Sequence, residues 1–204
     1  MPTHASNEIL REREDMPGSA SRPGAVQKDD PRTLRASKPV NARQKRQEQY
    51  EARRRVTELD QAMDHLSIPP SEFHEARSLV GISPQAAVIM AFRGLESTTR
   101  AAWSVQTLAD GPRMRSVAHV IRELNLGDAS DQLVRELSQL RNEFVHAAGQ
   151  NSISTSAALN YIEACEQLSE AVASKGRSKM QHPSRSQVWQ ELRQQSAGFW
   201  HNGA

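Results

Sequence analysis

Cysteine is nearly absent: the 204 residues include one, Cys165. A disulfide framework and a cysteine-based zinc site are excluded. Aromatic residues are scarce at 4%, and apolar residues of all kinds reach only 37%. A compact domain usually carries about 45–50% apolar residues with glycine included, so part of the chain is expected not to pack. Long hydrophobic runs are missing. The longest, Ala86–Phe92, has seven residues, against the roughly 20 that a membrane-spanning helix needs. Met1–Leu10 shows no basic stretch followed by an apolar core, hence no secretory signal. Also absent are a phosphate-binding Gly-rich loop, a Gly-x-Ser-x-Gly elbow and a His-Glu-x-x-His metal pair. No internal repeat emerges. The expectation is a soluble, cytoplasmic protein with no cofactor, no bound metal and no membrane partner.

Charge is abundant and unevenly placed. The net charge is +2, but residues 83–174 carry 7 basic and 10 acidic side chains, and residues 175–204 carry 5 and 1. A mildly acidic middle thus lies between more basic flanks. Between Arg43 and Arg55 six cations cluster: Arg43, Lys45, Arg46, Arg53, Arg54 and Arg55. Such a cluster can attract phosphates and makes these six the candidate nucleic-acid-binding residues. A solvated helix face is the plainer account of the same run.

Five of the ten prolines fall in residues 1–40, among small polar and charged residues. That composition predicts a disordered tail. Residues 41–68 read as one basic helix, without Gly or Pro from Asn41 to Leu66. Its apolar positions Val56, Leu59, Met63 and Leu66 step by 3, 4 and 3, a short seam that can dock on the domain or pair with a second chain. Pro69-Pro70 ends it, and 69–82 reads as linker. Residues 83–174 carry the 3.6-residue apolar period four times and no strand-like alternation, so the fold class is all-α, a four-helix bundle.

The first helix of the bundle begins at Ser83-Pro84, an N-cap followed by proline. Its stripe is Val88, Phe92, Leu95, Thr99 and Ala102. The second starts after Gly111-Pro112, presents Met114, Val117, Ala118, Ile121 and Leu124, and stops at Gly127. The third starts near Ser130, with Leu133, Leu137, Leu140, Phe144 and Ala147 as its stripe. The fourth starts at Ser154 or Thr155, buries Ala158, Tyr161, Ile162, Cys165, Leu168 and Val172, and ends at Gly176. Cys165 lies on that stripe and reads as a packing residue. Residues 175–204 form a basic, partly disordered tail, with a short helix expected over Gln187–Gln195 and the aromatic pair Phe199 and Trp200 near its end.

One constellation suits chemistry. In the third helix Arg141, Asn142 and His146 stand close in sequence. With Leu140 at the centre of the stripe, Asn142 and His146 fall about 200° and 240° round the helix, away from the core. They are i and i+4, hence neighbours. An arginine can clamp a phosphate through paired N–H groups, and an imidazole can move a proton near neutral pH. RNA brings its own nucleophile, the 2′-OH, so a site with one arginine and one histidine could cut it without a metal. The loose pattern of an Arg followed by a His after four to six residues also occurs as Arg113–His119 and Arg177–His182, so context must separate the three.

Context is supplied by a resemblance. The segment Leu137-Ser-Gln-Leu-Arg-Asn-Glu-Phe-Val-His146 with Ala147-Ala148-Gly149, the stretch Ile153-Ser-Thr-Ser-Ala-Ala-Leu-Asn-Tyr-Ile162, and the opening Ser83-Pro84-Gln-Ala-Ala-Val-Ile-Met-Ala-Phe-Arg-Gly-Leu-Glu96 together resemble the HEPN superfamily, in a bacterial branch, over about residues 83–174. The resemblance implies an HEPN-like helical bundle. It implies a metal-independent endoribonuclease in a toxin–antitoxin or defence setting, acting as a homodimer and held by a protein antitoxin. Arg141 and His146 would then be catalytic, Asn142 a helper, and Glu96 a residue that pairs with Arg141 and orients it. Some members of the superfamily have no known activity and serve in binding. Three readings therefore stand: a ribonuclease acting on RNA, a non-catalytic helical dimerisation or protein-interaction module, and a nucleic-acid-binding protein that uses the basic helix.

Overall fold

The computed structural model describes residues 42–111, 113–114, 116–146 and 152–197. Among them are seven helices and no strand: α1 (Ala42–Ser67), α2 (Ser71–Leu79), α3 (Pro84–Thr107), α4 (Val117–Glu123), α5 (Asp128–His146), α6 (Thr155–Met180) and α7 (Pro183–Ala197). The all-α class holds. The expected tail over 1–40 and the Phe199–Trp200 pair lie outside the described residues.

Helix starts follow local chemistry. Ser83, Ser116 and Ser154 are extended N-cap residues whose side chains accept from the backbone N–H of Ala86, His119 and Ala157, each satisfying one of the donors that a helix start leaves free. Pro84 follows Ser83 at the first helical position, as expected.

α3 is the hub, packed against α1, α2, α4, α5 and, most extensively, α6. Its stripe of Val88, Phe92, Leu95, Thr99 and Ala102 is buried along its whole length, and so is the α6 stripe through Ala158, Tyr161, Ile162, Cys165, Leu168 and Val172. At their interface Ser169 Oγ donates to Thr98 Oγ1 at 2.7 Å, and Thr98 donates to the Gly94 carbonyl at 3.1 Å. This closes the polar accounting of two fully buried hydroxyls. Leu59 and Leu66 of the short α1 seam are buried in the same core, so the seam is used for docking within the chain.

Several expectations change. The segment 69–82 is not a plain linker, because α2 forms there and buries Phe73 and Ala76. Nine residues were too few to show a period, and the room for Phe73 comes from elsewhere. A Cβ on Gly94 would lie 3.0 Å from Phe73 Cζ. Gly176 does not end α6, which continues to Met180. It is buried where a Cβ would lie 2.9 Å from Leu66 Cδ1 and 3.4 Å from Ala102 Cβ, so this glycine serves close approach of α1 and α3 to α6. α4 is shorter than expected. It starts at Val117 and ends at Glu123, with Asn125 left-handed at φ 54° and Gly127 at φ 89° leading into α5. α5 in turn begins at Asp128, ahead of Ser130.

The tail also folds further than expected. α7 covers Pro183–Ala197, and its Leu192 is buried. Arg185 donates to the Val105 and Gln106 carbonyls at 2.9 Å each. Arg55 donates to the Leu108 carbonyl at 3.3 Å and pairs with Asp110 at 3.2 Å. Two cations from distant segments thus satisfy the C-terminal carbonyls of α3, where the helix dipole favours positive charge. No helix among the described residues is long and apolar enough to cross a membrane.

Candidate functional site

The rotation of α5 decides what its side chains face. Val134 and Leu137 are fully buried, whereas Leu140 is 41% exposed and Phe144 only half-buried. The buried face is therefore centred between Leu137 and Arg141, not on Leu140. The correction has a plain cause: an arginine occupies a core-facing position, and an apolar stripe drawn without it tilts toward Leu140. Ala147 lies outside the described residues.

Arg141 consequently points at α3. Its Nη2 stands 3.5 Å from Glu96 Oε1, with both side chains about one-third exposed. Its guanidinium carbon lies 5.3 Å above the centre of the Phe92 ring, a cation–π distance. Its Nη1 donates to Asn142 Oδ1 at 2.9 Å. Glu96, on the first helix of the expected bundle, thus meets Arg141 on the third. Phe92, which its spacing marked only as a packing residue of the α3 stripe, completes the setting.

Arg141, Glu96, Phe92, Asn142, Ser116 and Ser138 line a cleft of about 260 Å³. His146, the last residue of α5, is exposed and lines a neighbouring open depression with Arg135, Gln139 and Glu143. Asn142, Ser116, Ala118 and Ser138 belong to both. Arg141 and His146 therefore occupy adjoining hollows with Asn142 as the shared wall. Arg135 in the second hollow pairs with Asp131 at 2.8 Å, a closer contact than the 3.5 Å between Arg141 and Glu96.

The two other Arg–His matches have different surroundings. The His119 ring packs on Trp103 at 5.3 Å between centres. Arg177 donates to the Leu66 carbonyl and, at 2.8 Å, to Glu170. His182 shares a hydrogen bond of 2.9 Å with Ser184. A cavity of about 350 Å³ between α1, α2, α3 and α6 has Arg177 and Glu170 in its wall, already paired with each other.

Below the site, α5 is pinned to α6. Tyr161 donates from its hydroxyl to the Leu137 carbonyl at 2.8 Å, and burial pushes its phenol far above the ordinary range. Burial likewise pushes the Cys165 thiol up to about 12, which removes thiolate chemistry near neutral pH.

The six cations of α1 divide. Arg43, Lys45 and Arg46 are exposed on its first turns. Arg53 donates to the Ser196 carbonyl of α7 at 3.3 Å, Arg54 lies 3.5 Å from Glu58, and Arg55 holds the end of α3. Arg53 and Arg55 thus each use part of the guanidinium on contacts within the fold.

Comparison with models of known protein families, with curated proteins and with solved structures found no match to this chain.

Proposed function

We propose that the protein is a metal-independent endoribonuclease of the HEPN type, with Arg141 and His146 as its catalytic residues. The observation that carries this reading is the Glu96–Arg141–Asn142 arrangement. A guanidinium is held by a carboxylate and a ring at the mouth of an open cleft, and its neighbour Asn142 stands about one helical turn from the exposed His146. In this reading the scissile phosphate sits at Asn142, the residue common to the hollows of Arg141 and His146. The 2′-oxygen attacks phosphorus and the bond from phosphorus to the 5′-oxygen breaks. The 2′-OH proton leaves to a base and the 5′-oxygen gains one. His146 serves at one of these two transfers, and Arg141 stabilises the charge that grows on phosphate. The products are a 2′,3′-cyclic phosphate and a 5′-OH.

The test is incubation of the full chain with RNA in EDTA. Cleavage persists, ends in the cyclic phosphate, and stops when the 2′-OH is replaced by hydrogen. Arg141→Ala and His146→Ala each lose about 10²–10⁴-fold, and Asn142→Ala loses less, because an amide orients without transferring a proton. RNA left intact by the wild type in all conditions overturns the reading.

A second reading is favoured by Leu140, Val145 and Leu159, which are 41%, 46% and 40% exposed on α5 and α6. Apolar side chains of this size on adjoining helices suit a protein partner, either a second copy or an antitoxin-like inhibitor. In that reading the bundle is an interaction module.

A further inference from the structure

Beside the Arg141 cleft runs a second one, of about 430 Å³, between α3 and the segment that joins α3 to α4. Arg100, Trp103, Arg113 and Met114 line it. Met114 also lines the Arg141 cleft, so the two hollows meet at this residue. The link is equally visible along α3. Glu96, Arg100 and Trp103 are i, i+4 and i+7, one stripe of the helix, and the stripe starts at the residue that holds Arg141. From Glu96 to Trp103 the helix rises roughly 10 Å, a step on the scale of neighbouring nucleotides.

The chemistry of this second cleft matches a nucleotide. Trp103 lines it, and the His119 ring lies against the indole with ring centres 5.3 Å apart and planes tilted by 59°. Arg100 and Arg113 are exposed and make no ion pair among the described residues. They are thus two cations without a carboxylate partner beside an aromatic wall. Glu58, the acidic residue of the cleft, stands 3.5 Å from Arg54. Aromatic surface flanked by cations is the arrangement that holds single-stranded nucleic acid, because every base has a π-face and every linkage a charge.

We propose that this cleft is the binding site for the nucleotide next to the scissile phosphate, and that the substrate is therefore single-stranded RNA. The base lies against Trp103, and Arg100 and Arg113 hold the phosphates on either side. This rests on the ribonuclease reading for its direction, but the cleft itself can be tested by binding alone.

The probe is a fluorescein-labelled twelve-nucleotide RNA with 2′-O-methyl groups throughout, which cannot be cut. Its anisotropy with the full chain is followed over a range of salt. Exchanging both cations, Arg100→Gln with Arg113→Gln, weakens binding about tenfold at low salt and lowers the slope of log affinity against log salt by about 1.4, at roughly 0.7 per phosphate for single strands. Trp103→Leu weakens binding roughly tenfold with little change of slope, and the surface double variant keeps the test valid if this one fails to fold. A wild type that cuts RNA while the double variant binds with unchanged affinity and slope overturns the cleft and spares the ribonuclease reading. A wild type that binds through Arg100 and Arg113 and never cuts supports the cleft and overturns the ribonuclease. No binding by the wild type overturns the cleft.

Discussion

Arg141 Nη2 lies 3.5 Å from Glu96 Oε1, and the pair joins α5 to α3 at the mouth of the candidate site. Both side chains are about one-third exposed, so solvent screens the attraction and its worth to stability is under about 1 kcal/mol. Its value lies in orientation, since Arg141 also stacks on Phe92 and meets Asn142. Glu96→Gln is expected to leave the melting temperature nearly unchanged and to lower kcat for RNA cleavage roughly tenfold, because one part of the charge-stabilising group's alignment is lost. Equal cleavage by variant and wild type would make the pair a surface contact.

The corrected rotation of α5 makes its own prediction. Leu137 is 3% exposed and Leu140 is 41% exposed. Leu137→Ala is expected to cost about 2–5 kcal/mol, the range for emptying a packed leucine site, and Leu140→Ala within roughly 0.5 kcal/mol. Phe144→Ala falls between them, because its ring is only half-buried. His146→Ala also stays within roughly 0.5 kcal/mol. Chemical denaturation of the four variants gives the order. Similar losses for Leu137→Ala and Leu140→Ala would return the centre of the face to Leu140.

How far the sequence was legible follows from these residues. Along α3 and α6 every position that periodicity named is buried, although small and polar residues beside the stripes, among them Ala91, Thr98, Ser169 and Gly176, are buried as well. Where a charged residue takes a core-facing place, as Arg141 does, an apolar pattern misjudges the angle by about a quarter turn. Glycine misled in the same way. Gly176 carries the mark of a helix stop, but its role depends on Leu66 and Ala102, far away in the chain. Of the candidate site, the residue types, their spacing and the meeting of Glu96 with Arg141 were legible. Phe92 beneath Arg141, and the joining of the Trp103 and Arg141 clefts at Met114, depend on how α3 and α5 meet and have no local signal.

The close approach at Gly176 predicts strain on substitution. Gly176→Val places branched carbons where a single Cβ already comes within 2.9 Å of Leu66 Cδ1. A loss of about 1–3 kcal/mol is expected from overpacking, and thermal melts measure it. A stabilised variant would mean that α1 moves aside without cost.

Alkaline pH should destabilise the fold. Burial raises the pKa of Cys165 from 9.0 to about 12 and raises that of Tyr161 as well. For each group the unfolded chain loses its proton at lower pH than the folded one. Their contribution is complete below the unfolded value and is lost as pH climbs through the folded value. For Cys165 the window is 9.0 to about 12. Cys165→Ala is expected to flatten the fall in stability across this window, measured by denaturant titration at successive pH values. An unchanged pH profile would leave Tyr161 to account for the alkaline loss.

The cations of α1 should separate into two groups by experiment. Arg55 donates to the Leu108 carbonyl and pairs with Asp110, at the point where Leu108 and Ala109 turn left-handed with φ 53° and 55°. Its loss leaves the end of α3 short of a donor. Arg55→Gln is expected to cost about 1.5 kcal/mol, the lower range for a hydrogen bond from a charged group, because Asp110 is largely exposed. Arg43, Lys45 and Arg46 make no such contact and stand in solvent, so their joint replacement by Gln should leave stability unchanged. If α1 meets RNA, that triple variant lowers the salt slope of binding by about 2, at roughly 0.7 per phosphate. Arg55→Gln moves stability and not the slope. The opposite pattern, a stable Arg55→Gln protein with a lowered slope, would restore Arg55 to the nucleic-acid-binding surface and assign the end of α3 to Arg185 alone.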